Sequence, residues 1–168
     1  LVLESYDNPL KTFNTNIMGS VNILEASRHT DSVKAIVIVT TDKVYKNNDC
    51  IYGYRETDVI GGHDPYSASK AASEIAVSSW RSSFCGIGPS QTKYLSIATA
   101  RAGNVVGGGD WAEDRLVPDI VRSLLLSKKI IIRNPNFTRP WQHVLEPLFG
   151  YLILAKKLYE IPINQEEC

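Results

Sequence analysis

The chain alternates between helical stripes of apolar residues and short, continuous apolar runs. Over residues 9–29, Phe13, Ile17, Val21 and Leu24 recur at spacings of three and four, with Ala26 close by, which predicts a helix with one broad apolar face. Asn8 stands where a cap belongs, and Pro9 suits the first helical position. Gly19 costs helix propensity there, which predicts close packing against a neighbour. The run Ala35-Ile36-Val37-Ile38-Val39 has no polar alternation and reads as a fully buried strand of a parallel sheet. Residues 46–65 are polar and rich in Gly, Asn, Asp and Tyr, so a loop is expected. A second helix is predicted over 65–84, with Ala68, Ala71, Ala72, Ile75 and Ala76 on it. A Gly/Pro/Ser connection at 85–93 leads to a strand at 94–100. Beyond it the pattern predicts a flexible loop at Gly107-Gly108-Gly109, a helix over 116–127 and a short strand at Ile130-Ile131-Ile132. A proline-containing loop over 134–142 and a last helix over 144–159 complete the chain. Strands alternating with helices argue for an α/β fold with a doubly wound parallel sheet. Ligands of such sheets bind outside the carboxyl ends of the strands, and residues 40–43 and 101–104 fall there.

Composition narrows the class without naming a chemistry. A chain of 168 residues suffices for one core. Lys plus Arg and Asp plus Glu are equal at 18 each, so net charge offers no attraction to nucleic acid or a membrane surface. Cys50, Cys85 and Cys168 are too scattered for a metal or redox motif, and reduced thiols are expected. No apolar run approaches the roughly 18 residues of a membrane span. The first ten residues carry Glu4, Asp7 and Pro9 and lack the basic start of a signal peptide. These features predict a soluble cytoplasmic protein without metal. The chain opens on Leu1, its one Met is Met18, and no strand precedes Asn8-Pro9, so it reads as a piece of a longer protein.

The candidate chemistry lies in two short motifs. Tyr66 and Lys70 are four residues apart and share a helix face. An ammonium beside a phenol favours the phenolate, so a lowered Tyr66 pKa and a general-base role are expected. Alone, this pair is a weak signal, because a surface Tyr and Lys on one helix are commonplace. Thr41-Asp42-Lys43, at the end of the first strand, adds a hydroxyl, an acid and an amine. Together the motifs hold the groups for an oxidation and an elimination.

The order of these motifs resembles the extended short-chain dehydrogenase/reductase (NAD-dependent epimerase/dehydratase) family. Thr15-Asn16-Ile17-Met18-Gly19, with Asn22-Ile23-Leu24-Glu25-Ala26, is similar to another signature of that family. So are the stretches from Arg101 to Trp111, from Arg115 to Asp119 and from Arg139 to Pro147. Asp42-Lys43, followed by Val44-Tyr45-Lys46-Asn47, resembles its sugar-nucleotide 4,6-dehydratase branch, a group of hydro-lyases. The resemblance implies a Rossmann-like fold, with residues 1–106 the later part of an NAD-binding domain. Residues 107–168 would then contribute substrate-binding loops and a returning helix.

The resemblance also implies roles. Thr41 would bind the sugar 4-oxygen, and Tyr66 would take the 4-hydroxyl proton while NAD accepts hydride. Lys70 would also hold the nicotinamide ribose. Lys43, acting as a base, would have to be neutral to remove the carbon-5 proton. Asp42 would have to be protonated to donate to the leaving 6-hydroxyl. Adjacent titrating groups are coupled, so the split between Asp42 and Lys43 stays open. Asn104 would meet the substrate diphosphate, with Arg115 and Arg139 as its planar, charge-assisted clamps. Backbone at Gly107–Gly109 would approach a ligand. Trp111 and Trp141 are expected to pack, and His63 and His143 to be structural. His29 suits a helix C-terminus. A homodimer through helices 9–29 and 66–84 is also implied. The family's glycine fingerprint and its acidic ribose ligand do not occur in the 168 residues, so weak NAD binding by this chain alone is expected. The rival readings are an epimerase or reductase of sugar nucleotides, against which Asp42-Lys43 speaks, and a truncated non-catalytic module.

Overall fold

The computed structural model describes residues 1–48, 51–85 and 95–160. The first predicted helix forms in three joined parts: α2 (Pro9–Phe13), a wide π-turn (Asn14–Met18) and α3 (Gly19–Arg28). A short α1 (Val2–Asp7) precedes them, unforeseen from the pattern. The π-turn has a visible consequence. It directs the Asn16 carbonyl outward, where the Ser73 hydroxyl donates to it at 2.7 Å.

The strand β1 (Ala35–Val39) pairs in parallel with β2 (Ser96–Ala100), from Ala35 beside Ser96 to Val39 beside Ala100. Between them in sequence runs the long helix α4 (Pro65–Ser83). Its start is set by sequence: Pro65 occupies the first turn, and the Asp64 carboxylate accepts from the Ser67 backbone N–H at 2.9 Å. Leu24 of α3, Val77 of α4, Cys85, Leu95 and Ile97 form the core between helices and sheet. Ile36 and Ile38, alternate residues of β1, pack on that core. The expected full burial of β1 is not reached: Ala35 to Ile38 are half-buried and Val39 is 43% exposed. Among the described residues β1 has only β2 as a partner, which leaves its other edge open.

A second parallel pair joins β3 (Asn104–Val106) to β4 (Trp141–His143). The sequence pattern assigns no element to residues 104–106 and predicts loop over 134–142, because three-residue strands are too short to show a period. The register also depends on close approach: a Cβ on Gly107 would lie 2.6 Å from Val144 Cγ1. Gly109 has φ +86°, a left-handed conformation suited to glycine. Helix α5 (Leu116–Leu125) and helix α6 (Leu145–Glu160) form near their predicted bounds, and α6 packs against β1 and β2. The predicted strand at Ile130–Ile132 does not form. These residues are 38%, 76% and 49% exposed, and no described strand offers them a ladder. The predicted connection at 86–93, Tyr94, Cys50 and Cys168 lie outside the described residues. No helix among the described residues is long and apolar enough to cross a membrane.

Candidate active site

A cleft of about 820 Å³ opens at the carboxyl ends of β1 and β2. Thr41, Lys43, Tyr66, Asn104 and Arg115 all line it, although 74 residues separate the first from the last in sequence. The chain reaches this point because β1 ends at Val39 and turns at once into a 3₁₀ turn, Asp42–Val44. Thr41 caps that turn through its hydroxyl, which accepts weakly from the Lys43 backbone N–H at 3.4 Å. The Asp42 backbone N–H donates to the Ala102 carbonyl at 3.1 Å, which continues the sheet register past the strand ends.

The polar side chains form one network. The Thr41 hydroxyl donates to Asp42 Oδ1 at 3.0 Å, and Lys43 Nζ approaches the same oxygen at 3.2 Å. Lys43 Nζ also lies 3.4 Å from Asn104 Oδ1. Asp42 and Lys43 are each about one-third exposed, and of the two it is Lys43 that lines the cleft. Asp42 itself borders a second cavity, of about 810 Å³, and not the cleft. Asn104 thus meets the acid/base turn directly, a contact that the sequence did not predict.

Tyr66 departs from expectation. Burial pushes its phenol above the ordinary value of 10.0, and its hydrogen bond with Thr41 and the charge of Arg115 only partly oppose this. Lys70 does not lower it. The ammonium instead donates to the Val39 carbonyl at 3.2 Å, and burial pulls the Lys70 pKa below its ordinary value. The shared helix face is therefore present, but the predicted direct electrostatic effect is replaced by desolvation.

The two arginines part company. Arg115 lines the cleft, where Asp110 lies 3.6 Å from its guanidinium. Arg139 is exposed, donates to the Thr138 carbonyl at 2.8 Å and lies over the Phe137 ring at 5.1 Å. It does not line the cleft, although Trp141, two residues on, does. Trp111 and Trp141 face the cleft and are 56% and 43% exposed, rather than packed away. Among Gly107–Gly109, Gly107 spends its missing side chain on Val144, while a Cβ on Gly108 would meet open space.

The sequence reading missed a buried group behind the site. Glu74 follows Lys70 by one helical turn, and Arg101 is the first residue after β2. The Arg101 Nε and Nη2 donate to the two Glu74 carboxylate oxygens at 2.9 and 3.0 Å. A carboxylate eight residues after Tyr66, on the same helix face, was the available signal.

A parallel α/β sheet whose strand ends hold a Thr and a Tyr-x-x-x-Lys helix defines a Rossmann-type protein of the dehydrogenase/reductase class. The chain belongs to the NAD dependent epimerase/dehydratase family, whose profile matches residues 1–165. It is 49% identical over 159 residues to the CDP-glucose 4,6-dehydratase of Salmonella typhimurium, covering 95% of this chain and 44% of that protein. Its fold is similar to that of a dTDP-glucose 4,6-dehydratase from Streptomyces venezuelae solved with NAD and TYD bound. There the TM-score is 0.77 at 24% identity, over 92% of this chain and 45% of the other. A dTDP-glucose 4,6-dehydratase from Bacillus anthracis, solved with NAD, gives a TM-score of 0.73 at 25% identity, over 86% of this chain and 44% of that one. The chain spans about half the length of the relatives it matches.

Proposed function

We propose that this chain carries the catalytic centre of an NAD-dependent CDP-glucose 4,6-dehydratase, a cytoplasmic hydro-lyase that yields CDP-4-keto-6-deoxyglucose. The observation that carries this reading is the Asp42–Lys43 pair, 3.2 Å apart on the turn beside Thr41, with Lys43 in the cleft that Tyr66 also faces. A centre for oxidation alone needs only the hydroxyl, phenol and ammonium. An added acid and amine supply what an elimination needs.

The residues present suit the nicotinamide end of a dinucleotide. Lys70 is fixed by the Val39 carbonyl, one helical turn from Tyr66 and at the mouth of the strand ends, where an ammonium can donate to a ribose hydroxyl. NAD, when bound, supplies the hydride acceptor for carbon 4 and the hydride donor for carbon 6. Thr41 donates to the 4-oxygen of the sugar, and Tyr66 takes the proton from that hydroxyl. The ketone so formed acidifies the proton on carbon 5. Lys43 removes it, and Asp42 protonates the departing 6-hydroxyl, so one water leaves; carbon 5 regains a proton as carbon 6 is reduced, and no net redox change remains. Arg115 in the cleft clamps the substrate diphosphate with its planar guanidinium group, while Arg139, outside the cleft, has no part in it. Asn104 serves both that diphosphate and the Lys43 amine, from which its amide oxygen already accepts at 3.4 Å.

The reading is tested with the full-length gene product, CDP-glucose and catalytic NAD. The account expects a 4-keto sugar, seen by its ultraviolet absorbance in alkali, formed faster than from dTDP- or UDP-glucose. Stoichiometric consumption of NADH would instead identify a reductase, and inversion at carbon 4 an epimerase.

A further inference from the structure

Tyr66, Lys70 and Glu74 succeed one another at intervals of four along one face of α4. Glu74 is only 5% exposed. One carboxylate oxygen accepts from the Thr40 hydroxyl and from Arg101 Nε, and the other accepts from Arg101 Nη2. Thr40 is itself buried and immediately precedes Thr41. At the other end of the turn, Arg101 Nη1 donates to the Tyr45 hydroxyl at 2.8 Å. The same guanidinium lies 4.8 Å from the Tyr45 ring centre, and Tyr54 stacks on that ring at 5.0 Å. One buried ion pair therefore grips residues 41–44 from both sides, through Thr40 before them and Tyr45 after them. It does so from the helix that presents Tyr66.

We infer that Glu74 and Arg101 are positioning residues that fix the elimination turn, Asp42-Lys43, against the oxidation pair, Tyr66 and Lys70. The inference rests on the dehydratase reading above. Neither side chain lines the cleft; both line the second cavity beside Asp42, and they hold the turn through Thr40 and Tyr45. A pair of apolar residues would fill such a site at least as stably, since burying two charges carries a large desolvation cost. The forked, two-bond geometry adds what apolar packing lacks, a fixed distance and angle between helix and turn. One substrate has to meet Tyr66 at its 4-hydroxyl and then Lys43 and Asp42 at carbons 5 and 6, without leaving. Only the relative placement of helix and turn lets both steps occur in one bound pose.

Rapid-mixing kinetics on the full-length gene product separates the two steps. Oxidation appears as near-ultraviolet absorbance of reduced nicotinamide, and elimination as the 4-keto-6-deoxy product. Glu74→Gln is expected to slow elimination on the order of 100-fold, the cost of a misplaced reacting group, while oxidation stays close to the unaltered rate. Tyr45→Phe removes a single hydroxyl and is expected to slow elimination roughly 5-fold, the effect of one neutral hydrogen bond. Tyr45→Phe should also raise amide exchange at residues 41–45, and it decides the matter if Glu74→Gln does not fold. Equal slowing of both steps, or a lower unfolding temperature with both rates intact, would overturn the inference. Should the unaltered protein form no 4-keto product, the dehydratase reading fails and the inference falls with it. An active unaltered protein whose variants show no split sinks the inference alone.

Discussion

Each side chain proposed for the reaction has a separable expected effect. Tyr66→Phe keeps the ring and removes the proton acceptor, so oxidation should fall on the order of 100- to 10,000-fold, as loss of a positioned base does. Transient formation of reduced nicotinamide measures it. Asp42→Asn keeps the shape of the turn and its contact with Thr41 but cannot supply a proton to the leaving hydroxyl. Oxidation should persist while 4-keto-6-deoxy product is lost. The raised Tyr66 pKa sets the direction of the pH dependence. Its phenolate becomes more populated as pH rises, so the oxidation rate should climb through the alkaline range, and Tyr66→Phe should abolish that limb. At this scale the sequence was most informative where residues are neighbours in the chain. Thr41, Asp42 and Lys43, and the Tyr66–Lys70 spacing, needed only strand and helix periodicity to be placed. The Asn104–Lys43 contact and the displaced Arg139 depend on how β3 and β4 pair. Strands of three residues leave no readable period.

The elements explain why those side chains converge. Helix α4 begins where Asp64 caps it, and Tyr66 stands two residues further on. Asp64→Ala should cost about 1 kcal/mol of stability, read as a lower denaturant midpoint. Gly107→Ala would force a Cβ to within 2.6 Å of Val144 and shift β3 against β4. It should destabilise the fold and weaken substrate binding through the adjoining Asn104. The Glu74–Arg101 pair gives the elements a pH signature. Burial raises the Glu74 pKa, but the bonds from Arg101 and Thr40 outweigh it, so the net shift is below 4.5. A carboxylate held low stabilises the fold above its unfolded pKa, and that stabilisation is lost as pH falls below about 4.5 toward the folded value. Acid unfolding of Glu74→Gln should be correspondingly less steep in that window. Periodicity located α3, α4, α5, α6, β1 and β2. The Ile130–Ile132 run misled because a strand is a property of two segments, and composition describes only one.

For the molecule as a whole, the parallel pairing and the cleft at the strand ends follow from the alternation of elements. The open edge of β1, by contrast, could not be read from an apolar run that looks fully buried. Leu10, Met18 and Ile23 on the first helical arm, and Ile75 on α4, are exposed by 86%, 46%, 56% and 63%. That apolar surface suits the homodimer that the family resemblance implies through these helices; light scattering of the full-length gene product should then give twice the protomer mass, with Ile75→Glu shifting it toward monomer. The central claim is that the oxidation is transient and serves an elimination, and isotope transfer tests it most directly. CDP-glucose deuterated at carbon 4 is to be turned over with catalytic NAD, and the product analysed by mass spectrometry and NMR. The account predicts deuterium at carbon 6 of a 4-keto-6-deoxy product, with a solvent hydrogen at carbon 5. Deuterium retained at carbon 4, or released in reduced cofactor without loss of water, would contradict it.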